Sequence, residues 1–356
     1  MNFRKLVHIL DKSPLEKHIH IPEGCDIDSV ELEGMVCDSR KAAPGLMFAA
    51  AKGDHADGYN FIEQAVAKGA PAVLCERESA APVPQIITPD VRSAMGYVCS
   101  MIHDEPSRKM TMIAVTGTNG KTTSAFMTQA ILNHCGIKTG LAGTVIYDDG
   151  AVIEEAEHTT PEGADLQNLF ARMVKNGCKA CVMEVSSHSL VQGRVSGTAY
   201  DRAGFTNLTI DHLDFHKTME KLLQRAKKIL FDKYMRNNWQ GSVNIDDEYG
   251  RRLRDCLGKR AITYAMLDES ADFFASIKNF SLDGLDIEIK MPGSGGVKAL
   301  KLPLLGGYNV LNALQALRSP GPSAYRRTAR LTRSRICRRF RGVSSATKSR
   351  AAAPAS

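Results

Sequence analysis

The amino-acid sequence predicts an α/β protein with two domains: a mixed α/β domain first, then a mostly parallel sheet of the P-loop type with an added antiparallel part. Three observations lead there. A strand, a glycine turn and a helix follow one another between residues 112 and 135. Strands and helices then alternate, the rhythm of βαβ units. Near residue 285 apolar and polar residues instead alternate one by one, as in Leu285-Asp286-Ile287-Glu288-Ile289, the pattern of an antiparallel strand with one wet face.

The first domain is expected over residues 1–108. It mixes short strands with one clear helix at 60–68, where Phe61, Ile62, Ala65 and Val66 share a face. Gly69-Ala70-Pro71 stops that helix, and 72–75 reads as a strand. Pro82 and Pro84 mark a loop, and Glu105-Pro106-Ser107-Arg108 reads as a linker. The second domain is expected over 109–317. A strand at 112–116 leads into the glycine turn, and a helix at 122–135 ends at Gly136. Further strands are expected at 180–185, 202–207 and 242–246, with helices at 162–176 and 219–234. Antiparallel strands are expected within 270–305. Residues 318–356 hold Pro, Ser, Ala and Arg with almost no apolar periodicity, a composition that predicts disorder.

The net charge of +7 belongs to that last stretch. It carries eleven Lys and Arg and no Asp or Glu, so the rest of the chain has 35 basic against 39 acidic residues. Eleven cations attract polyanions, but without folded recognition elements this is non-specific, and no specific nucleic-acid partner is expected. No apolar run is long enough to span a bilayer, and the polar start around His8, Asp11 and Lys12 does not read as a secretory signal. A cytoplasmic protein is expected. The nine cysteines form no regular framework, which suits reduced thiols. Cys178 and Cys181 have C-x-x-C spacing, but no second pair accompanies them, and a buried strand follows.

The turn itself reads Gly117-Thr118-Asn119-Gly120-Lys121-Thr122-Thr123. Small residues let backbone N–H groups approach phosphates, and the following helix adds its positive end. Lys121 can reach the terminal phosphates, and the Thr122 hydroxyl can ligate magnesium. The match is to a shortened P-loop, since Val115 stands where the first glycine would be. By composition such a match arises by chance in about one chain in a hundred of this length, so an ordinary glycine turn is the weaker reading.

Ligands of open α/β sheets gather at the carboxyl ends of the strands. Glu184 ends one strand there, and Asn207 ends another, just before Asp211-His212-Leu213-Asp214-Phe215-His216. A carboxylate at such a place can hold Mg²⁺, directly or through water. Taken singly these residues are also compatible with solvated strand and helix ends. His212 and His216 lack an H-E-x-x-H context, which argues against zinc. Lys227 borders the apolar stripe of its helix and, by itself, reads as an ordinary helix lysine.

Together these motifs resemble the Mur ligase family of peptidoglycan synthesis, most nearly its MurE type, which adds diaminopimelate or lysine to UDP-N-acetylmuramoyl-L-alanyl-D-glutamate. The matching pieces are Asp38-Ser39-Arg40, Gly53-Asp54-His55-Ala56-Asp57-Gly58, the 116–123 loop, Thr159-Thr160-Pro161, residues 184–194, residues 205–216, Ala226-Lys227 and Gly306-Gly307-Tyr308-Asn309-Val310-Leu311-Asn312. They run from about residue 25 to 317 in the family's order.

The resemblance implies ATP and Mg²⁺ as cofactors. Lys121 and the loop would bind the phosphates, and Asn309 would contact the nucleotide. Thr122 and Glu184 would hold one Mg²⁺. His212 and a carbamylated Lys227 would serve a second. Ser39, Asp54, His55, Ala56, Thr159, Thr160, Ser186, Gln192 and Arg194 would hold the UDP-muramoyl dipeptide, in a UDP-binding N-terminal domain and beside it. His158 stands where such enzymes often carry Asn. A diamino acid would be the second substrate, with diaminopimelate the commoner choice of the type. Oligomeric state leaves no sign in the sequence.

The family continues past the Asn309–Asn312 motif into a C-terminal domain that recognises the incoming amino acid. Here the likeness stops near Leu317, so that domain is expected to be absent, through a shifted frame or truncation, and ligase turnover is expected to be small. Two other readings compete. A folylpolyglutamate synthetase shares the ATP site, but the Asp38-Ser39-Arg40 and 53–58 motifs argue against it. A non-catalytic protein that binds nucleotide and UDP-sugar is the other.

Overall fold

The computed structural model describes residues 1–53, 56–209, 230–292 and 296–318. Asp54, His55, His212, Lys227, most of the helix expected at 219–234 and nearly all of residues 318–356 lie outside them.

From the N-terminus, α1 (Phe3–Asp11) is followed by β1 (His18–His20), β2 (Gly34–Val36), β3 (Leu46–Ala49), α2 (Ile62–Ala67), β4 (Val73–Cys75), β5 (Gln85–Ile87) and α3 (Val91–Ile102). Next come β6 (Thr111–Thr116), α4 (Lys121–His134), β7 (Thr139–Ala142), β8 (Ile146–Asp148), β9 (Ile153–Glu155), α5 (Gly163–Lys175), β10 (Ala180–Glu184), α6 (Ser187–Val191) and β11 (Tyr200–Phe205). The last elements are β12 (Met235–Asn244), α7 (Glu248–Leu257), β13 (Ala261–Ala265), β14 (Phe273–Ser281), β15 (Gly284–Lys290), β16 (Val297–Leu302) and α8 (Tyr308–Arg318). No helix among the described residues is long and apolar enough to cross a membrane.

The chain forms two compact units. The first holds residues 1–109 together with 161–175 and 188–199. Its sheet has the order β1-β5-β4-β3-β2, parallel except for β1 against β5. Phe3, Leu6 and Leu10 of α1 pack with Met35, Leu74, Ile86 and Val98 in one core cluster, while Ile62 and Ala65 of α2 join Val36, Phe48 and Val73 in another. Alternate strand residues thus feed opposite faces of the sheet. Asn2 caps α1 and Asp90 caps α3, each accepting a backbone N–H with its side chain.

Although the alternation over 109–317 reads as one block, α5 packs with α3 in the first unit, where Gly163 and Gly96 meet backbone to backbone. A side chain at either glycine would block that approach.

The second unit holds an eleven-stranded sheet, β16-β15-β14-β13-β12-β11-β6-β10-β7-β8-β9. From β7 through β14 the pairs are parallel. Both ends turn antiparallel: β14–β15–β16, as the alternation at 285–289 predicts, and β7–β8–β9, where β8 and β9, of three residues each, carry too little pattern to be read in sequence. Ile113, Val115, Leu141, Ala180 and Val182 pack with Ala125 and Leu132 of α4. Met127 and Ile131 of the same helix join α8 in a second cluster. Buried on both sides, α4 is fixed firmly at its start, which is where the glycine loop ends.

Candidate functional site

Strand order creates the site. After β6 the chain passes through α4 to β7, yet β10 lies between β6 and β7, and β11 lies on the other side of β6. The connections therefore diverge at β6, leaving a crevice at the carboxyl ends of these strands. The register places Glu184 opposite Val115, Met183 opposite Ala142, and Phe205 opposite Thr116. Glu184, the Gly117 loop, Gly143 and Thr206 are thereby brought to one edge.

The loop is held by shape and by hydrogen bonds. Gly117 has φ 131 and Gly120 φ 84, a region open to glycine at little cost. A Cβ at Gly117 would overlap the Thr206 hydroxyl, and one at Gly120 would overlap the Asn312 amide oxygen. Thr118 N–H donates to the Asn207 carbonyl at 2.8 Å, and Asn119 N–H to Asn207 Oδ1 at 3.0 Å. Asn207 Nδ2 returns a bond to the Asn119 carbonyl at 3.1 Å. Lys121 Nζ donates to the carbonyls of Gly117 at 2.8 Å and Thr118 at 2.9 Å. The ammonium thus sits within the curl of the loop, at the positive end of α4.

Glu184 is 1% exposed. Oε2 accepts from the Thr122 hydroxyl at 2.9 Å and the Thr144 hydroxyl at 3.1 Å, and Oε1 from the Thr144 N–H at 2.8 Å. Burial pushes its carboxyl above the ordinary range, although these donors and the Lys121 charge pull the other way. All its hydrogen-bond donors among the described residues are neutral. A buried carboxyl so placed would gain from a cation beside it. Its hydrogen-bond partner Thr122 stands in the first turn of α4, beside the glycine loop. Hard oxygen donors that leave most positions to phosphate and water suit Mg²⁺.

Other residues expected at the site fall around this centre. Thr160 Oγ1 donates to the Glu184 carbonyl at 2.9 Å and accepts from Ser186 N–H at 3.3 Å. Thr159 Oγ1 lies 3.2 Å from Thr144 Oγ1. Asn309 is buried at the start of α8, where its Nδ2 donates to the Leu305 carbonyl at 2.8 Å and its Oδ1 accepts from Asn312 at 3.1 Å. Asn312 in turn touches the loop at Gly120 and lies 3.4 Å from the Ser124 hydroxyl.

In the first unit, Ser39 donates to Gln64 Oε1 at 2.8 Å, and the Ala56 carbonyl accepts from Gly53 N–H at 2.8 Å. Arg194 pairs with Glu162 at 3.0 Å, and Gln192 follows α6. Cys178 and Cys181 are buried free thiols, Cys181 inside β10.

Thr144, Thr206 and Asn312 are site residues that sequence reasoning missed as such. Thr144 follows β7, a four-residue strand containing Gly140 that offers too little pattern to read. Asn312 stood within a recognised motif, but its contact with Gly120 depends on helix packing.

Comparison with known proteins gives a consistent picture. The model of the Mur ligase middle domain matches residues 115–319, and that of the Mur ligase family catalytic domain matches 31–103. The UDP-N-acetylmuramoyl-L-alanyl-D-glutamate–2,6-diaminopimelate ligase 1 of Clostridium acetobutylicum is 40% identical over 297 residues, 82% of this chain and 59% of that protein. The corresponding Streptomyces coelicolor ligase is 40% identical over 296 residues, covering 81% and 57%. A solved UDP-N-acetylmuramoyl-L-alanyl-D-glutamate–2,6-diaminopimelate ligase superposes with a TM-score of 0.72 at 27% identity, over 95% of this chain and 65% of that one. MurF from Acinetobacter baumannii, at 21% identity and TM-score 0.62 over 85% and 61%, shares the fold. The chain spans about three-fifths of the length of the curated relatives it matches.

Proposed function

This chain belongs to the Mur ligase family, and on that premise we propose that it serves the ATP- and Mg²⁺-dependent joining of diaminopimelate to UDP-N-acetylmuramoyl-L-alanyl-D-glutamate. The observation that carries the reading is the pairing of Thr122, on the phosphate loop, with the buried carboxylate of Glu184.

In this reaction a peptide carboxylate oxygen attacks the γ-phosphorus of ATP and the bond to the β-phosphate breaks, releasing ADP. The amine then attacks the acyl carbon, loses a proton and expels phosphate. Each step gathers negative charge, so catalysis rests on placing positive groups and holding the reactants together. Loop amides, the α4 N-terminus and Lys121 supply fixed positive potential for the phosphates. Thr122 and Glu184 would hold Mg²⁺, which neutralises charge on the transferring phosphoryl group when bound. Asn309, anchored beside the loop, is assigned to the nucleotide. Family likeness assigns His212 and Lys227 to a second Mg²⁺; both lie outside the described residues. Ser39, Ala56, Thr159, Thr160, Ser186, Gln192 and Arg194 are assigned to the UDP-muramoyl dipeptide. The domain division proposed from the sequence puts that substrate's uridine end on the N-terminal domain.

Calorimetric titration tests the reading. The 356-residue chain should bind the UDP-muramoyl dipeptide when an ATP analogue and Mg²⁺ are present, and should not bind a folate. Folate binding without dipeptide binding would instead favour a folylpolyglutamate synthetase. With acceptor amino acids supplied in parallel, diaminopimelate and not lysine should enter any product.

A further inference from the structure

Glu184 is held from two sides. Thr122 reaches it from the phosphate loop, and Thr144 reaches it from the end of β7 with both its amide and its hydroxyl. Gly143 leaves room for this, since a Cβ there would overlap Glu184 Oε1. The Thr144 hydroxyl also lies 3.2 Å from that of Thr159. A hydroxyl has one proton to give. The carboxylate is the stronger acceptor, so Thr144 gives its proton to Glu184 and accepts from Thr159. The result is a directed chain, Thr159 to Thr144 to Glu184, ending on the oxygen that Thr122 also engages.

We infer that Thr144 is a positioning residue that fixes the Glu184 carboxylate and links its orientation to Thr159, so that a cation at Glu184 and a ligand at Thr159 influence each other. This rests on the reading of Glu184 as a Mg²⁺ ligand. Turning the Thr159 hydroxyl toward a ligand oxygen would take its proton away from Thr144 and alter the hold on the carboxylate. The Thr159, Thr144 and Glu184 side chains already lie within hydrogen-bonding reach in sequence along this path.

The test uses the full chain and the affinity of adenylyl imidodiphosphate with and without Mg²⁺. Thr144→Val keeps the amide bond to Oε1 and removes the hydroxyl. It should lose about tenfold of the tightening that Mg²⁺ gives, as for one hydrogen bond to a charged acceptor. Its metal-free affinity should stay within about twofold, and Thr144→Ser should restore the Mg²⁺ effect. Thr159→Val should lose about threefold, and the two valine changes together should cost less than the product of each, as coupled neighbours do. A Thr144→Val protein with the full Mg²⁺ effect overturns the inference. So do strictly multiplicative losses, or equal loss with and without metal. If Thr144→Val does not fold, Thr159→Val decides alone: an unchanged Mg²⁺ effect overturns the inference. A wild-type chain whose nucleotide affinity ignores Mg²⁺ overturns the reading of Glu184 itself, a different failure from any of these.

Discussion

Two carboxylates sit at opposite edges of the same parallel sheet and are treated in opposite ways. Glu184 ends β10 at the carboxyl edge, and its hydrogen-bond donors among the described residues are neutral. Asp201 lies near the start of β11 at the amino edge. There Arg236, near the start of β12, donates Nη1 to both carboxylate oxygens at 2.8 Å, and the Met112 N–H adds a third bond at 2.8 Å. One edge is closed in charge by a permanent cation. The other carries a buried carboxyl held by neutral donors, with the Lys121 charge nearby. The difference separates a joint that ties strands β6, β11 and β12 together from a place built to receive something. Asp201 and Arg236 are partly exposed and Glu184 is buried: the more deeply buried acid is the one held by the neutral donors Thr122 and Thr144, the Lys121 charge acting on it from beside the loop.

That contrast can be broken at either edge. The largest expected effect on stability is at the closed one. Arg236→Met should destabilise the chain by about 2 kcal/mol, less than for a fully buried pair because this one is partly wet. Thermal or urea unfolding measures it, and the Mg²⁺ dependence of nucleotide affinity should not change. A smaller effect is expected at the open edge. Gly143→Ala would push a methyl group into Glu184 Oε1, so the Mg²⁺ effect on nucleotide affinity should fall about tenfold, roughly 1.4 kcal/mol. Unchanged Mg²⁺ dependence in that variant would show that the carboxylate need not sit where Gly143 and Thr144 hold it.

The open edge was more legible in the sequence than the closed one. Gly117, Gly120 and Lys121 announce a phosphate loop because glycines and a lysine at that spacing have few other uses. Glu184 could be read because a charged residue ending an apolar strand stands out. Thr144 and Thr206 could not, since an isolated threonine looks the same in any loop, and only strand register brings these two to Glu184 and Gly117. Asp201 and Arg236 are thirty-five positions apart and gave no sign of pairing. In the first unit α3 escaped notice although Val91, Ala94, Met95, Val98 and Ile102 keep helical spacing. Gly96, Cys99, Ser100 and Met101 are buried too, so the helix has too little polar face to read as amphipathic. Helix α5 was foreseen at 162–176, but its place in the first unit follows from the close approach of Gly163 to Gly96, which composition does not reveal.

If Glu184 and the Lys121–Thr122 loop form one site for a nucleotide with its magnesium, the dissociation constant of adenylyl imidodiphosphate, with and without Mg²⁺, must differ between the wild-type chain and Glu184→Gln. Mg²⁺ should tighten binding to the wild type by at least about tenfold. Glu184→Gln should show almost no tightening, while metal-free affinity is kept. A Glu184→Gln chain that still responds fully to Mg²⁺, or a wild type that does not respond at all, would contradict a single shared site.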